Sequence, residues 1–172
     1  KSMAFSKLTS LPLGNSEGGT VAMAAETSRI VGDKYVLPTG AQDAARLDLI
    51  HSVYGPISYR GLEAAGIGEA RHVADIGCGT GTLSRWMASR IGAAGQVDSI
   101  DIAEEQIEIA KAIPSTTGSA PINYRVGSAY EPGLPAGQYD VVFCRLVLCH
   151  LKEPSKAVQQ MAQLLRPGGR LV

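Results

Sequence analysis

Val73-Ala74-Asp75-Ile76-Gly77-Cys78-Gly79-Thr80-Gly81 is the stretch from which the rest of this chain is read. An apolar strand broken by a single aspartate runs into three glycines at alternate positions, and a helical pattern follows from Thr82. Glycine allows a sharp backbone turn and lets a ligand come close where a Cβ would stand. Free amides at the start of the next helix favour an anionic group such as a carboxylate or phosphate. A dinucleotide fingerprint would need glycine at the third place of G-x-G-x-x-G, and Thr82 stands there instead. Asp75, two residues ahead of Gly77, would repel a pyrophosphate but suits the ammonium of an amino-acid moiety.

Outward from this loop, strand and helix patterns alternate. A strand over 72–76 precedes the glycines, and a helix over 82–91 follows, with Leu83, Trp86 and Met87 on one face. The next strand, 96–100, ends at Asp101. A carboxylate there can accept hydrogen bonds from both hydroxyls of a ribose, or cap the helix ahead of Glu104-Glu105, and the two roles can coexist. That helix covers 104–113 and stops at Pro114; strands follow at 122–126 and 139–144. Pro154 opens a last helix striped with Ala157, Val158, Met161, Leu164 and Leu165. Pro167-Gly168-Gly169 should break it, and Arg170-Leu171-Val172 begins a fifth strand.

Upstream, Ala44, Leu47, Ile50 or His51, and Tyr54 recur at helical spacing from Ala41. Gly55-Pro56 should end or kink that helix, with a second short one over 57–65. Strands separated mostly by helices imply an α/β fold, a Rossmann-like, mostly parallel sheet with helices on both faces. Ligands of such sheets sit beyond the carboxyl ends of the strands, where the strand order reverses. The expected organisation is a flexible tail over 1–34, a helical cap over 35–70 and a ligand-binding core over 71–172.

Composition narrows the partners. The chain has 172 residues, one domain's worth, and its 45% apolar content suffices for a core. Sixteen basic residues balance sixteen acidic ones, so no nucleic acid is expected as a partner. Cys78, Cys144 and Cys149 are too few for a disulfide framework and read as small thiols in a reducing compartment. His51, His72 and His150 are scattered and no zinc-type spacing exists, so no metal is expected. The apolar stretch 141–151 is short and interrupted by Arg145, too little for a membrane span. The first twenty residues lack the compact apolar run of a signal peptide, and the expected location is cytoplasmic.

The run 73–81, together with Val97-Asp98-Ser99-Ile100-Asp101 and Leu165-Arg166-Pro167-Gly168-Gly169-Arg170-Leu171, resembles the class I S-adenosylmethionine-dependent methyltransferases. Within them it is similar to the small-molecule group that includes the ubiquinone and menaquinone C-methyltransferases. The resemblance covers 35–172 and implies S-adenosyl-L-methionine as cofactor and a small-molecule methyl acceptor.

Residue by residue, it implies that Asp75, Gly77, Gly79 and Gly81 hold the methionine part, that Asp101 takes the ribose hydroxyls and that Ile102 packs on the adenine. Ser128 stands where the family often has an aspartate facing the adenine amino group, which leaves a backbone amide near Ala129 to read the ring. Cys144 and Arg145 follow the fourth strand, where a backbone carbonyl usually meets the methionine ammonium. Arg145 itself reads as a structural or carboxylate-binding residue. Tyr35 and Arg46 lie in the segment that commonly covers the cofactor, or are a surface aromatic and a helix-face charge.

The implied chemistry is displacement at a methyl carbon, for which the protein positions the nucleophile and excludes water. His150 is the candidate general base, or else a residue that orders its loop through hydrogen bonds. A complete member has seven strands, whereas this chain stops three residues into the fifth. The expectation is therefore an incomplete, inactive fragment with its fourth strand largely unpaired on one side. The alternatives are a non-catalytic cofactor-binding or interaction module and a nicotinamide-dinucleotide-binding protein.

Overall fold

Short runs rich in Val, Ile and Ala form a fully parallel sheet. A computed structural model of the chain describes residues 41–172, so the expected tail and Tyr35 lie outside the described residues. The elements are α1 (Ala41–Ala64), β1 (His72–Ile76), α2 (Thr82–Ile91), β2 (Gln96–Asp101), α3 (Glu104–Ala112), β3 (Ile122–Val126), β4 (Tyr139–Cys144), α4 (Pro154–Leu164) and β5 (Leu165–Leu171). Single 3-10 turns stand at Ile67–Glu69 and Leu148–His150. The strand order is β3-β2-β1-β4-β5. Successive side chains of a strand point to opposite faces, so each strand feeds two cores. Val73, Val97, Val141 and Phe143 pack against Met87, Ala88 and Ile91 of α2 and Leu62 of α1. Ala74, Ile76, Ile100 and Val142 pack against Ala157, Met161 and Leu164 of α4.

The structure departs from the sequence expectation at three places. First, Gly55-Pro56 does not end α1, which runs on through Pro56. Proline removes the donor to the carbonyl four residues back, here Ser52, and Ser52 and Pro56 share an exposed face where water can replace it. The interior proline costs about 3 kcal/mol. Against it stand the burial of Leu62, worth about 1.5–3 kcal/mol, and the stacking of Tyr59 on Trp86 at 4.4 Å between ring centroids. Tertiary packing wins.

Second, Leu165 does not belong to the last helix. It is already paired with Tyr139, and Pro167-Gly168-Gly169 lies in a bulge inside β5, because the next pair is Val141 with Arg170. Third, β4 is not left open. Val142 pairs with Leu171, the Cys144 amide donates to the Val172 carbonyl at 3.0 Å, and the Val172 amide donates to the Val142 carbonyl. With Leu165 on Tyr139, β5 pairs with β4 on both sides of the bulge.

Asp140, opposite the bulge, ties these strands together. Its Oδ2 accepts the amides of Arg71 (2.7 Å) and His72 (2.8 Å) at the entry to β1, and Oδ1 accepts Nε of Arg166 from the bulge. Burial pushes this carboxyl up, but the two amides and the guanidinium outweigh it and hold it below the ordinary 3.8. A depressed carboxyl contributes stability that is fully present above its unfolded value and is lost as pH falls through the folded one. Asp140→Ala is expected to cost about 1–3 kcal/mol at neutral pH. Urea melts should show that difference shrinking below the ordinary carboxylate range.

Candidate functional site

The strand order reverses at β1, with β2 on one side and β4 on the other, and a cavity of about 170 Å³ opens there above the carboxyl ends. Asp75 and Phe143, paired across β1 and β4, lie at its base with Gly77 to Thr80 beside them. Asp101, Ala103 and Gln106 come from the β2 side, and Arg145, Leu146, Val147 and His150 from the loop after β4. Arg46, Leu47, Ile50 and His51 of α1 complete the wall.

Gly77 is required by sterics twice over. Its φ is 77°, and a Cβ there would lie 2.1 Å from Cγ2 of Val147. Gly79 shares the left-handed conformation, and Leu47 Cδ1 stands 3.2 Å from where its Cβ would be. Gly81 does not wall the cavity: it precedes α2 and faces Tyr124 of β3, whose Oη would be 2.4 Å from an added Cβ.

Asp75 is 2% exposed and accepts a 2.6 Å hydrogen bond from Ser84 Oγ of α2. Burial pushes its carboxyl up to about 6, although the Ser84 bond and the Arg145 charge pull it back. A group so raised is short of a counter-charge, and a cation in the cavity would supply one. Asp101 already holds the loop: Oδ2 accepts the Gly79 amide at 2.8 Å and Oδ1 the Ala103 amide at 3.0 Å. The capping role is thus present.

The other expected residues divide. Arg145 and His150 wall the cavity; Arg145 Nη1 donates to Ser58 Oγ at 3.4 Å, and burial lowers the affinity of its guanidinium for the proton while Asp75 raises it. Arg46 is in the wall too. Ile102 is half exposed beside Asp101 but is not part of the wall. Ser128 and Ala129 are not brought to it: Ser128 Oγ accepts the Tyr130 amide, and Ala129 is buried in the α4-side core. Cys144 also stays outside, its thiol pushed up to about 12 by burial. Cys78, in the loop itself, has its thiol pushed well above the ordinary 9, mainly by burial and then by Asp75 and Asp101, which disfavours the thiolate.

Sequence reasoning missed His51 as a wall residue, having treated the histidines as scattered. His51 and His150, far apart in the chain, meet at one cavity. His51 Nε2 lies 2.7 Å from Tyr59 Oη, and burial, with the Arg145 charge, lowers its proton affinity. The only signal was its place on the inner face of a helix whose length was underestimated.

Comparison with known proteins gives the geometry a context. Residues 74–172 match the family model described as a methyltransferase domain. The ubiquinone biosynthesis O-methyltransferase of Xanthomonas axonopodis pv. citri is 40% identical over 111 residues, which is 64% of this chain and 43% of that protein. The nocamycin O-methyltransferase of Saccharothrix syringae is 30% identical over 118 residues, 69% of this chain and 42% of that one. The chain thus spans less than half the length of the curated relatives it matches. Among solved structures, an S-adenosylmethionine-dependent methyltransferase from Mesorhizobium loti is 28% identical, with a TM-score of 0.53 over 61% of this chain and 45% of that one. One from Aquifex aeolicus, 23% identical with a TM-score of 0.58 over 66% of this chain and 60% of that one, shares the fold.

Proposed function

Because this chain belongs to the methyltransferase domain family, we propose that its β1–β4 crevice binds S-adenosyl-L-methionine and that the protein methylates a small-molecule acceptor. The observation that carries the reading is Asp75, a buried carboxyl raised to about 6, set beside glycines in the left-handed conformation at the base of the crevice. When bound, the cofactor supplies a methyl group on a sulfonium that leaves as a neutral thioether. The residues present fit such a group. Asp75 would hold the ammonium, Arg145 the carboxylate, and Gly77 and Gly79 would let the methionine backbone lie close. Asp101 would accept the ribose hydroxyls, and Ile102 would offer its exposed apolar face to the adenine. Ser128, Ala129, Gly81 and Cys144 act at most through the backbone or through packing. His150, on the wall, is the candidate base, and His51 stands in the same enclosure.

Room is the remaining condition. About 170 Å³ is small beside the ~300–1,000 Å³ of typical ligand sites, and Leu47 of α1 is the side chain over Gly79. The reading includes a cap over 35–70, whose helix α1 would move outward as the cofactor enters, and a core over 71–172. The reading includes a cytoplasmic location, supported by free thiols at Cys78, Cys144 and Cys149. It includes no nucleic-acid partner, supported by the zero net charge. Among the described residues no helix is long and apolar enough to cross a membrane.

Titration calorimetry tests the reading. S-adenosylhomocysteine should bind and NAD should not; the reverse would end it. Asp101→Ala should weaken S-adenosylhomocysteine by about 1–3 kcal/mol. It should also lower the melting midpoint, since the Gly79 and Ala103 amides lose their acceptor.

A further inference from the structure

The two halves of α1 are held unequally. Past Pro56 the helix is anchored: Leu62 is fully buried, Tyr59 stacks on Trp86 of α2, Glu63 pairs with Arg90, and Ser58 accepts Arg145. Before Gly55 no residue from 46 to 54 is buried, although Leu47, Ile50 and His51 wall the crevice. Glycine and proline, the two poorest helix formers, stand side by side between the halves. Pro56 has no N–H for the Ser52 carbonyl, and such a place is where a helix bends.

His51 bridges that joint. Its Nε2 lies 2.7 Å from Tyr59 Oη, two turns on. The ring can lie there because residue 55 has no side chain: a Cβ would stand 3.3 Å from Nε2. Nδ1 is buried and has no hydrogen-bond partner. Whichever tautomer the neutral ring adopts, protonation puts an N–H on both nitrogens, and the one at Nδ1 is sealed without an acceptor. The charged groups acting on the ring are Arg145 of the loop after β4, Asp48 of α1 and Arg85 of α2, with Tyr59 at Nε2. Arg46, Asp75, Asp101 and His150 share its cavity. Burial, Arg145 and Arg85 outweigh Asp48 and hold the imidazole below the ordinary 6.5.

We propose that α1 is a hinged lid: residues 41–54 swing at Gly55-Pro56 while 57–64 stay on α2, and the neutral His51 straps the lid shut through Tyr59. The sign follows from the lowered value. The shut lid is favoured in full above 6.5, where the released imidazole titrates, and loses up to about tenfold per pH unit below it. The lid belongs to the free protein, whatever ligand the crevice takes.

Hydrogen–deuterium exchange between pH 7.5 and 5.5, corrected for the intrinsic rate at each pH, tests it on the free protein. Protection of the amides at 46–54 should fall by up to about tenfold per unit below 6.5, while that at 57–64 holds. In His51→Gln the fall should disappear; in Asp75→Asn, which removes the carboxyl that titrates at about 6, it should remain. Tyr59→Phe keeps the ring on Trp86 and removes the strap, so at pH 7.5 it should lower protection at 46–54 about fivefold. Protection that ignores pH in the parent, or falls equally in both halves, would overturn the proposal. So would a fall that survives in His51→Gln or vanishes in Asp75→Asn, or a Tyr59→Phe variant protected like the parent.

Discussion

Asp75→Asn is expected to raise the melting midpoint of the free protein while weakening S-adenosylhomocysteine about a hundredfold. The carboxyl is raised from 3.8 to about 6, roughly two pH units at 1.36 kcal/mol each, so its charge costs up to about 3 kcal/mol at neutral pH. The sign follows from the raised value: the contribution to stability is most favourable below 3.8 and is lost as pH rises through about 6. Asparagine has nearly the same shape, keeps an acceptor for the 2.6 Å bond from Ser84, and removes the buried charge. The same charge is what an ammonium in the crevice would pair with, and hydrogen bonds to charged groups are worth about 1.5–3 kcal/mol. Stability and affinity should therefore move in opposite directions. The parent should also bind S-adenosylhomocysteine less well as pH falls below about 6, with no such fall in the variant. Thermal melts and calorimetry across that range would decide it; a variant that both melts lower and binds like the parent would show Asp75 to be a packing residue.

Gly77→Val should be the most damaging single change in the described residues. It forces a branched side chain into a φ of 77° and sets its Cβ 2.1 Å from Val147 Cγ2. Left-handed strain costs about 1–2 kcal/mol and overpacking about 1–3 kcal/mol more, a large share of a typical stability of about 5–15 kcal/mol. Chemical denaturation should show the loss, and S-adenosylhomocysteine binding should vanish. Gly77→Ala is the milder form, and adding Val147→Ala should restore part of its stability by removing the clash but not the strain. If Val147→Ala restored nothing, the contact between the two loops would not be what fixes Gly77.

Local sterics made much of this legible in advance. The glycine run reads as a sharp turn between a strand and a helix, and in the structure all three glycines at 77, 79 and 81 have positive φ. The strands at 72–76, 122–126 and 139–144 and the helix at 82–91 have the bounds their apolar patterns predict, because the apolar residues of each run are the ones the two cores bury. Asp75, Asp101 and Arg145 could be picked out for the same reason, since each stands at the end of a strand.

Long-range contacts decided the rest. Local rules read Gly55-Pro56 as a break, but the burial of Leu62 and the Tyr59–Trp86 stack hold α1 continuous. Pro167-Gly168-Gly169 sits in a bulge because Asp140, on the neighbouring strand, gathers Arg166 and the β1 amides. His51 and His150 became wall residues of one cavity only when α1 folded across the sheet. Ser128 and Ala129 fell outside the wall for the converse reason, since packing against the α4-side core claimed Ala129. A sequence determines the conformations that each short stretch favours; which strained or interrupted ones survive depends on burial energies between residues distant in the chain.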